Sequence, residues 1–415
     1  MRSFFSISIL LMTSLAFGGN DEPLTLESAV QQAIERAPQV AASTASVDAA
    51  RAVVQSAGRL PDPSLIVGID NFPIDGPNAY STTADFMTMR KIGVMQGFPR
   101  REKRRLQHAR AAADEDLANA QLAATRLDVA RETAEAWVRA ASAESSLSAL
   151  RELRPQVELG ATAARAGLSA ARASATEALA SEAALARLKN RIIQMQSEVR
   201  RARLVLSRWI GDEAERPLAA LPSFDQLPVP PDALVQTTHL HAAILPFEAR
   251  LAAAQTDVEL ARAERRPDWS AEVSFAKRGP DFSDMASIQL TVGLPLFARN
   301  RQNPVIAARV ADVKRIEAER DSEIRMHTTE LQEMIVEWQQ LGAQLEQYDT
   351  ELLPLARERS QVSLAAYRAG ASNLESALDA LEDESNLIVE RAALRNARGH
   401  AWAALRYLEA QHLYQ

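Results

Sequence analysis

The chain has 415 residues, a formal net charge of -7, no cysteine and only 5% aromatic residues. The acidic balance argues against a general nucleic-acid binder, and the lack of cysteine excludes disulfide staples, thiolate metal sites and a lipidated N-terminal cysteine. Length alone suggests two or three domains, but the heptads described below argue for one elongated object packed from Ala-rich helices.

The N-terminus reads as a secretory signal. Arg2 precedes an apolar run from Phe4 to Leu15, and Ala16-Phe17-Gly18 offers small residues for a signal peptidase, so residues 1–18 are set apart from the fold. The run is too short to span a bilayer comfortably, and no later stretch offers a transmembrane helix. If the mature chain, 19–415, crosses a membrane, it does so with strands.

A first repeat is expected over 25–211. Leu26, Ala29, Val30, Ala33 and Ile34 share a helical face, Ala37-Pro38 interrupts the helix, and a second piece runs from Val40 to Ala57. Gly58 to Pro63 stops it. Ser64 to Asp70 and Asp85 to Gln96 then read as strands of a hairpin within about 63–98. From Arg104 to Ala166 the pattern is helical, broken only at Pro155; about 60 such residues would make a rod of ~90 Å. Arg165-Ala166-Gly167-Leu168-Ser169 marks a tight turn. On the returning helix Leu185, Leu188, Ile192, Met195, Val199, Ala202, Leu206 and Trp209 alternate spacings of three and four, the pattern of coiled-coil packing.

Residues 212–232 are Pro-rich and aperiodic, a linker. The layout then recurs over 233–412. A helix from 233 to 264 leads to Arg265-Arg266-Pro267-Asp268, matching Arg59-Leu60-Pro61-Asp62, and a hairpin spans about 268–296. In it Ile288, Leu290, Val292 and Leu294 alternate with Ser287, Gln289, Thr291 and Gly293, an apolar and a polar face. Ile324, Leu331, Trp338, Leu345 and Leu352 form a seven-residue series in the second rod, and His327, Met334, Leu341, Tyr348 and Leu355 a companion series. Pro354 answers Pro155, and Tyr367-Arg368-Ala369-Gly370-Ala371-Ser372 makes the second turn. This internal two-fold repeat is the strongest organisational signal in the chain.

Catalytic chemistry finds no support. No nucleotide loop, serine-elbow, zinc-helix or dinucleotide motif is present, so no enzyme activity, cofactor or dedicated metal site is expected. His239 and His241 are two apart, which on a helix sets them on different faces, and His108, His327, His400 and His412 are scattered. The cluster Arg100-Arg101-Glu102-Lys103-Arg104-Arg105, with Arg299 and Arg301 in the equivalent place, is a solvated collar or a membrane-surface contact. Phe72, Phe98, Trp269, Phe275, Phe282 and Phe297 near the hairpin ends fit aromatic girdles. Glu375, Asp379 and Glu382 share one face of the last helix, either an ordinary solvated stripe or the lining of a water-filled lumen that gathers cations.

A lone hairpin is marginal in water and its open edges are untenable in lipid, so several chains must pool their strands. LTLESAVQQAIERAP, LPDPSLIVGIDN, AERRPDWS, LPLFARNRQN and YRAGASNLESALDALE resemble the TolC family of outer-membrane efflux channels, and most of all its CzcC/CusC heavy-metal branch. The resemblance implies a mainly α fold: long antiparallel coiled-coil helices form a periplasmic tunnel, and four strands per chain contribute to a twelve-stranded homotrimeric barrel. It implies a passive channel in the outer membrane of a Gram-negative bacterium, serving a tripartite efflux system, with heavy-metal cations as substrate. The partners implied are a periplasmic adaptor, a resistance-nodulation-division pump of the inner membrane reached through it, and outer-membrane lipid; no nucleic acid is expected. The adaptor-facing tips fall on Arg165, Gly167, Leu168 and Ser169 and on Arg368, Gly370 and Ser372, with Ala164 in the first where the second has Tyr367. The rival reading is a periplasmic coiled-coil adaptor or scaffold, against which stand two helical rods and two hairpins.

Overall fold

A computed structural model describes residues 22–170 and 174–408; the expected signal segment and His412 lie outside them. The element order is α1 (Leu26–Arg36), α2 (Pro38–Ser56), β1 (Ser64–Asp70), β2 (Met89–Phe98), α3 (Arg101–Ser169) and α4 (Ala175–Ile210). Then follow α5 (Pro231–Gln236), α6 (Leu245–Ala263), β3 (Trp269–Lys277), β4 (Met285–Val292), α7 (Gln302–Gln347), α8 (Leu353–Arg368) and α9 (Leu374–Arg406). Pro38 opens α2 at its first turn, where the N–H that proline lacks would be unpaired anyway. Ser174 and Glu177 close a reciprocal capping box on α4, so its start is set by local chemistry.

Three helical expectations need correction. The segment 233–264 is not one helix: α5 stops at Gln236, because Thr237 and Thr238 hydroxyls bond back to Ala233 and Val235 carbonyls, and α6 restarts around Pro246. Helix α3 runs on to Ser169, so Gly167, Leu168 and Ser169 form its last turn rather than a loop. Pro155 does not break α3, whereas Pro354 follows a π turn, Tyr348–Leu352. That turn carries an extra residue, which moves the buried stripe from the expected Leu352 to Leu353, Ala356, Ser360 and Leu364 and leaves Leu355 63% exposed.

The chain forms two compact units, each drawn from both repeats. One takes Met1–Gln32, Ala136–Pro222 and Ala356–Ala392. Its core includes Trp137, Leu150, Leu206 and Leu374, with Leu188 and Ile192 of the heptad seam buried as well. Leu24 lies along Leu218 in a parallel bridge, and the Trp137 indole N–H donates to the Leu24 carbonyl at 3.1 Å. Arg139 binds Glu198 at 2.6 Å and Arg203 Nε binds Glu144 at 2.6 Å, tying α3 to α4.

The other unit takes Ala33–Glu135, Ser223–Leu355 and Ala393–Gln415. All four strands sit here in one antiparallel sheet of order β1-β2-β3-β4. Leu331, Ile335, Trp338 and Leu345 form the buried stripe of α7. The Pro-rich segment after residue 222 is strapped down rather than loose. Trp338 donates its N–H to the Phe224 carbonyl and Trp402 to the Gln226 carbonyl, both at 2.8 Å, and Arg398 pairs with Asp225 at 2.6 Å.

Candidate membrane-spanning sheet and channel tips

The sheet separates apolar from polar side chains by strand parity. Antiparallel partners fall on the same face, so the register Val67↔Ile92, Ile92↔Phe275, Val94↔Val273 and Val273↔Ile288 lays these residues side by side. Leu65, Ala271, Leu290 and the stacked pair Phe98–Trp269, 4.3 Å between ring centroids, extend that face. It is open: Val67 is 71%, Ile288 79% and Leu290 66% exposed. The other face carries Ser64, Asp70, Lys91, Ser270, Glu272, Ser274, Ser287, Gln289 and Thr291, with Ile66 and Met95 among them, while Arg90, Gln96 and Lys277 stand near the strand ends of the apolar face. On the polar face Lys91 reaches Glu272 at 2.6 Å and Ser274 is buried. A Cβ on Gly93 would stand 2.6 Å from the Cβ of its register partner Ser274, so the close approach of β2 and β3 at this pair requires glycine.

Expected strand limits shift slightly. The second strand is Met89–Phe98 and not 85–96, since Asp85 turns the loop by accepting the Met87 N–H. β4 ends at Val292, before Gly293 and Leu294, although the Gly293 N–H still bonds the Asp268 carbonyl at 3.0 Å in the register of β3 and β4. Strands of 7 to 10 residues overlap the about 9–11 that a tilted strand needs to cross a bilayer. Aromatic rings mark both ends, Phe98 and Trp269 at one, Phe275 and the Phe72–Tyr80 pair at the other. Among the described residues no helix is long and apolar enough to span a membrane.

At the strand–helix junction the sequence cluster divides into pinned and free cations. Lys103 bridges Asp268 at 2.9 Å and Glu264 at 2.8 Å, the Arg100 backbone N–H donates to Asp268, and Arg266 pairs with Glu102. Burial opposes ionisation of Asp268, but the hydrogen bonds from Lys103 and Arg100 outweigh it and hold the carboxyl below its ordinary range. Arg101, Arg299 and Arg301 stay exposed.

The two turns at the other end of the rods come together through their buried neighbours. Ala164 and Leu374 are fully buried and pack with Leu378, while Tyr367 lies against the same cluster. Tyr367 thus packs against the cluster in which its counterpart Ala164 is a fully buried member. Burial raises the Tyr367 hydroxyl above its usual pKa, and Glu177 adds to this. Arg165 is held by Glu182, Nε to Oε1 at 3.0 Å, and Ser169 donates back to the Arg165 carbonyl. Beyond Arg368, Gly370 takes φ 72° with nothing near its Cβ direction, so conformation and not space demands glycine. Ser372 is half-buried, and Asn373 caps α9 on the Ser376 N–H.

Of the three acids on α9, Glu375 and Asp379 are exposed, whereas Glu382 pairs with Arg187 at 3.1 Å. It lines a cavity of about 190 Å³ between α3, α4 and α9, where Arg191 also donates to Ser385 at 2.7 Å. Glu382 thus makes a partly exposed tie to α4 that Glu375 and Asp379 lack among the described residues. Sequence reading missed the neighbouring Glu384, buried and accepting from Ser360 at 2.6 Å, and Asp383, paired with Arg359. The only signal was three consecutive acids on a helix whose opposite face must be buried.

His241 is in a bend after a short 3-10 turn, not on a helix with His239, and its Nδ1 lies 2.8 Å from His327 Nε2 in a buried pair. Burial lowers the His327 pKa, against the pull of Glu330 and Glu323. Two imidazoles do not complete a metal shell, and among the described residues no group of three or more His, Asp or Glu is placed to hold an ion.

Residues 230–410 match the family model of the outer membrane efflux proteins. A membrane protein from Pseudomonas aeruginosa has a TM-score of 0.78 to this chain at 18% identity, covering 92% of this chain and 90% of its own. The outer membrane protein VceC of Vibrio cholerae gives 0.75 at 18% identity, over 94% and 95% of the two chains. CusC, solved in a study of transmembrane channel formation, gives 0.75 at 16%, over 92% and 90%. At such identities the likeness establishes the fold, and it does so over nearly the whole chain. Among proteins of curated function none matches in sequence.

Proposed function

We propose that the chain is one subunit of an outer-membrane efflux channel, a passive duct and not an enzyme. One observation carries this reading: a four-stranded sheet whose apolar face is open along its length and whose outer strands, β1 and β4, have no strand beyond them among the described residues. In lipid the apolar face is satisfied, but each open strand edge leaves backbone groups unpaired, which only closure removes. One chain is too few, since bacterial barrels begin at about 8 strands. Three chains, β4 of each beside β1 of the next, give a twelve-stranded ring wide enough for a lumen, its polar face inward. The family match of residues 230–410 supports the same assignment. It also disfavours the adaptor alternative.

Within this reading the α3 end at Arg165–Ser169 and the turn at Arg368–Ser372 are the adaptor-facing tips, and the adaptor links the channel to an inner-membrane pump of the resistance-nodulation-division type. The pump supplies the energy. We assign heavy-metal cations as the substrate, on the resemblance to that branch and on the open carboxylates Glu375 and Asp379, which would line the water path. Unheated outer-membrane extracts should show a trimer that collapses to monomer on boiling; a protein found only free in the periplasm would end the channel reading. Deleting the gene should sensitise cells to zinc, cobalt, cadmium or copper. Unchanged metal tolerance would remove the metal assignment and leave the channel standing.

A further inference from the structure

We infer that the end of the sheet where strands meet helices is a docking collar for the anionic headgroups of a phospholipid leaflet. The inference rests on the reading of the sheet as membrane-spanning. Four segments meet at this end, 59–63, 99–105, 264–268 and 293–301, since β1 and β3 begin here and β2 and β4 finish here. They hold ten Lys and Arg against four Asp and Glu. The loops at the opposite end, 71–88 and 278–284, hold one cation and four acids. The two ends of one sheet thus carry opposite charge.

The acids at the basic end are mostly spent on internal ties: Glu264 and Asp268 on Lys103, Glu102 on Arg266. Six arginines remain exposed with no acid in ion-pair range among the described residues: Arg59, Arg101, Arg105, Arg265, Arg299 and Arg301. A solvated collar would need nothing more. Here, however, the free cations adjoin an apolar segment whose large side chains are mostly exposed. Leu294 is 67%, Leu296 76% and Phe297 70% exposed, immediately before Arg299 and Arg301 and directly after β4. Apolar side chains at acyl depth, followed within a few residues by guanidinium forks at phosphate depth, match a leaflet's own order of layers. Arginine suits a phosphodiester because its planar fork donates two hydrogen bonds at once. Continuity with the open apolar face of the sheet favours a lipid surface over an acidic protein or nucleic acid, neither of which offers that layering.

The test uses the full-length trimer carrying R101Q, R299Q and R301Q together, reconstituted into phosphatidylcholine bilayers with and without phosphatidylglycerol. Retained lipid is counted by native mass spectrometry. Wild type should keep phosphatidylglycerol in preference to phosphatidylcholine, and each lost charge should weaken that preference by about 5-fold. The triple lysine variant should recover most of it, and R151Q, an exposed change on α3, should leave it alone. The single variants R299Q and R301Q give the same readout should the triple fail to assemble. A trimer that inserts but holds both lipids equally, or a triple glutamine variant as selective as wild type, overturns the collar alone. So does a variant that keeps its lipids and loses a protein partner instead. Failure of wild type to insert as a trimer overturns the spanning sheet as well.

Discussion

Trp137 on α3 and Trp338 on α7 each send an indole N–H to the backbone carbonyl of an extended strap, Leu24 at 3.1 Å and Phe224 at 2.8 Å. The straps are otherwise held differently. Leu24 also donates to Pro217, accepts from Ala219 and lies along Leu218, so its carbonyl has a second donor. Among the described residues the second strap has no backbone ladder; it relies on Trp338, Trp402 and the Asp225–Arg398 pair. The rods differ in the same spirit, α3 absorbing Pro155 within an unbroken α-helix and the second rod meeting Pro354 with a π turn. A repeated layout, then, preserves which groups are pinned and lets the pinning chemistry drift.

The largest effect should separate the straps. W338F removes the donor the structure provides for the buried Phe224 carbonyl, a loss of about 1–3 kcal/mol, while W137F leaves Leu24 with the Ala219 N–H and should cost nearer 0.5–1.5. Thermal unfolding followed by circular dichroism, with amide exchange read on each strap, would show it; equal losses would mean that the two straps are equivalent. The two tips should then respond with opposite signs. G370A forces a left-handed φ on alanine and should lose about 1 kcal/mol, whereas G167A, inside a helix, should gain about 0.5–1. A loss at both positions would restore the turn expected at Gly167.

Smaller still is the difference in pH response. The Ser223 hydroxyl, and then Arg398 against partial burial, lower the Asp225 pKa. A depressed carboxyl stabilises the fold above its unfolded pKa of about 3.9, and that contribution fades as pH falls through the lower, folded value. Protection of the second strap from amide exchange should therefore weaken on acidification below that range, and protection of the first, which rests on backbone bonds, should not. Because the Asp225 side chain is 65% exposed, the change should be a few tenths of a kcal/mol at most.

Much of the architecture was legible in the sequence because the burial that shapes it is periodic. Spacings of three and four placed Leu188, Ile192, Ala202 and Leu206 in the α4 seam, and all four are buried. Alternation in 287–292 separated the two faces of β4 before any partner strand was known. What failed was local. The α3 end was misread because Gly167 looks like a turn yet is tolerated in a last helical turn, and 233–264 was read as one helix because threonine back-bonding leaves no periodic trace. Glu382 looked like one of three equal acids until Arg187 claimed it.

The sequence by itself determined the mainly helical rods, the two hairpins, their recurrence and the apolar and polar parity of the strands, since all of these follow from the repeat distances of helices and strands. Tertiary contacts alone decide that the hairpins join through β2 and β3 into a single sheet, that Gly93 stands where a Cβ would meet Ser274, and that Tyr367 packs on the cluster holding Ala164. They likewise decide which cations at the strand–helix junction are bound and which are left to face outward. Those outcomes depend on contacts between residues far apart in the chain, and periodicity along the chain carries no record of which distant side chain will be the neighbour.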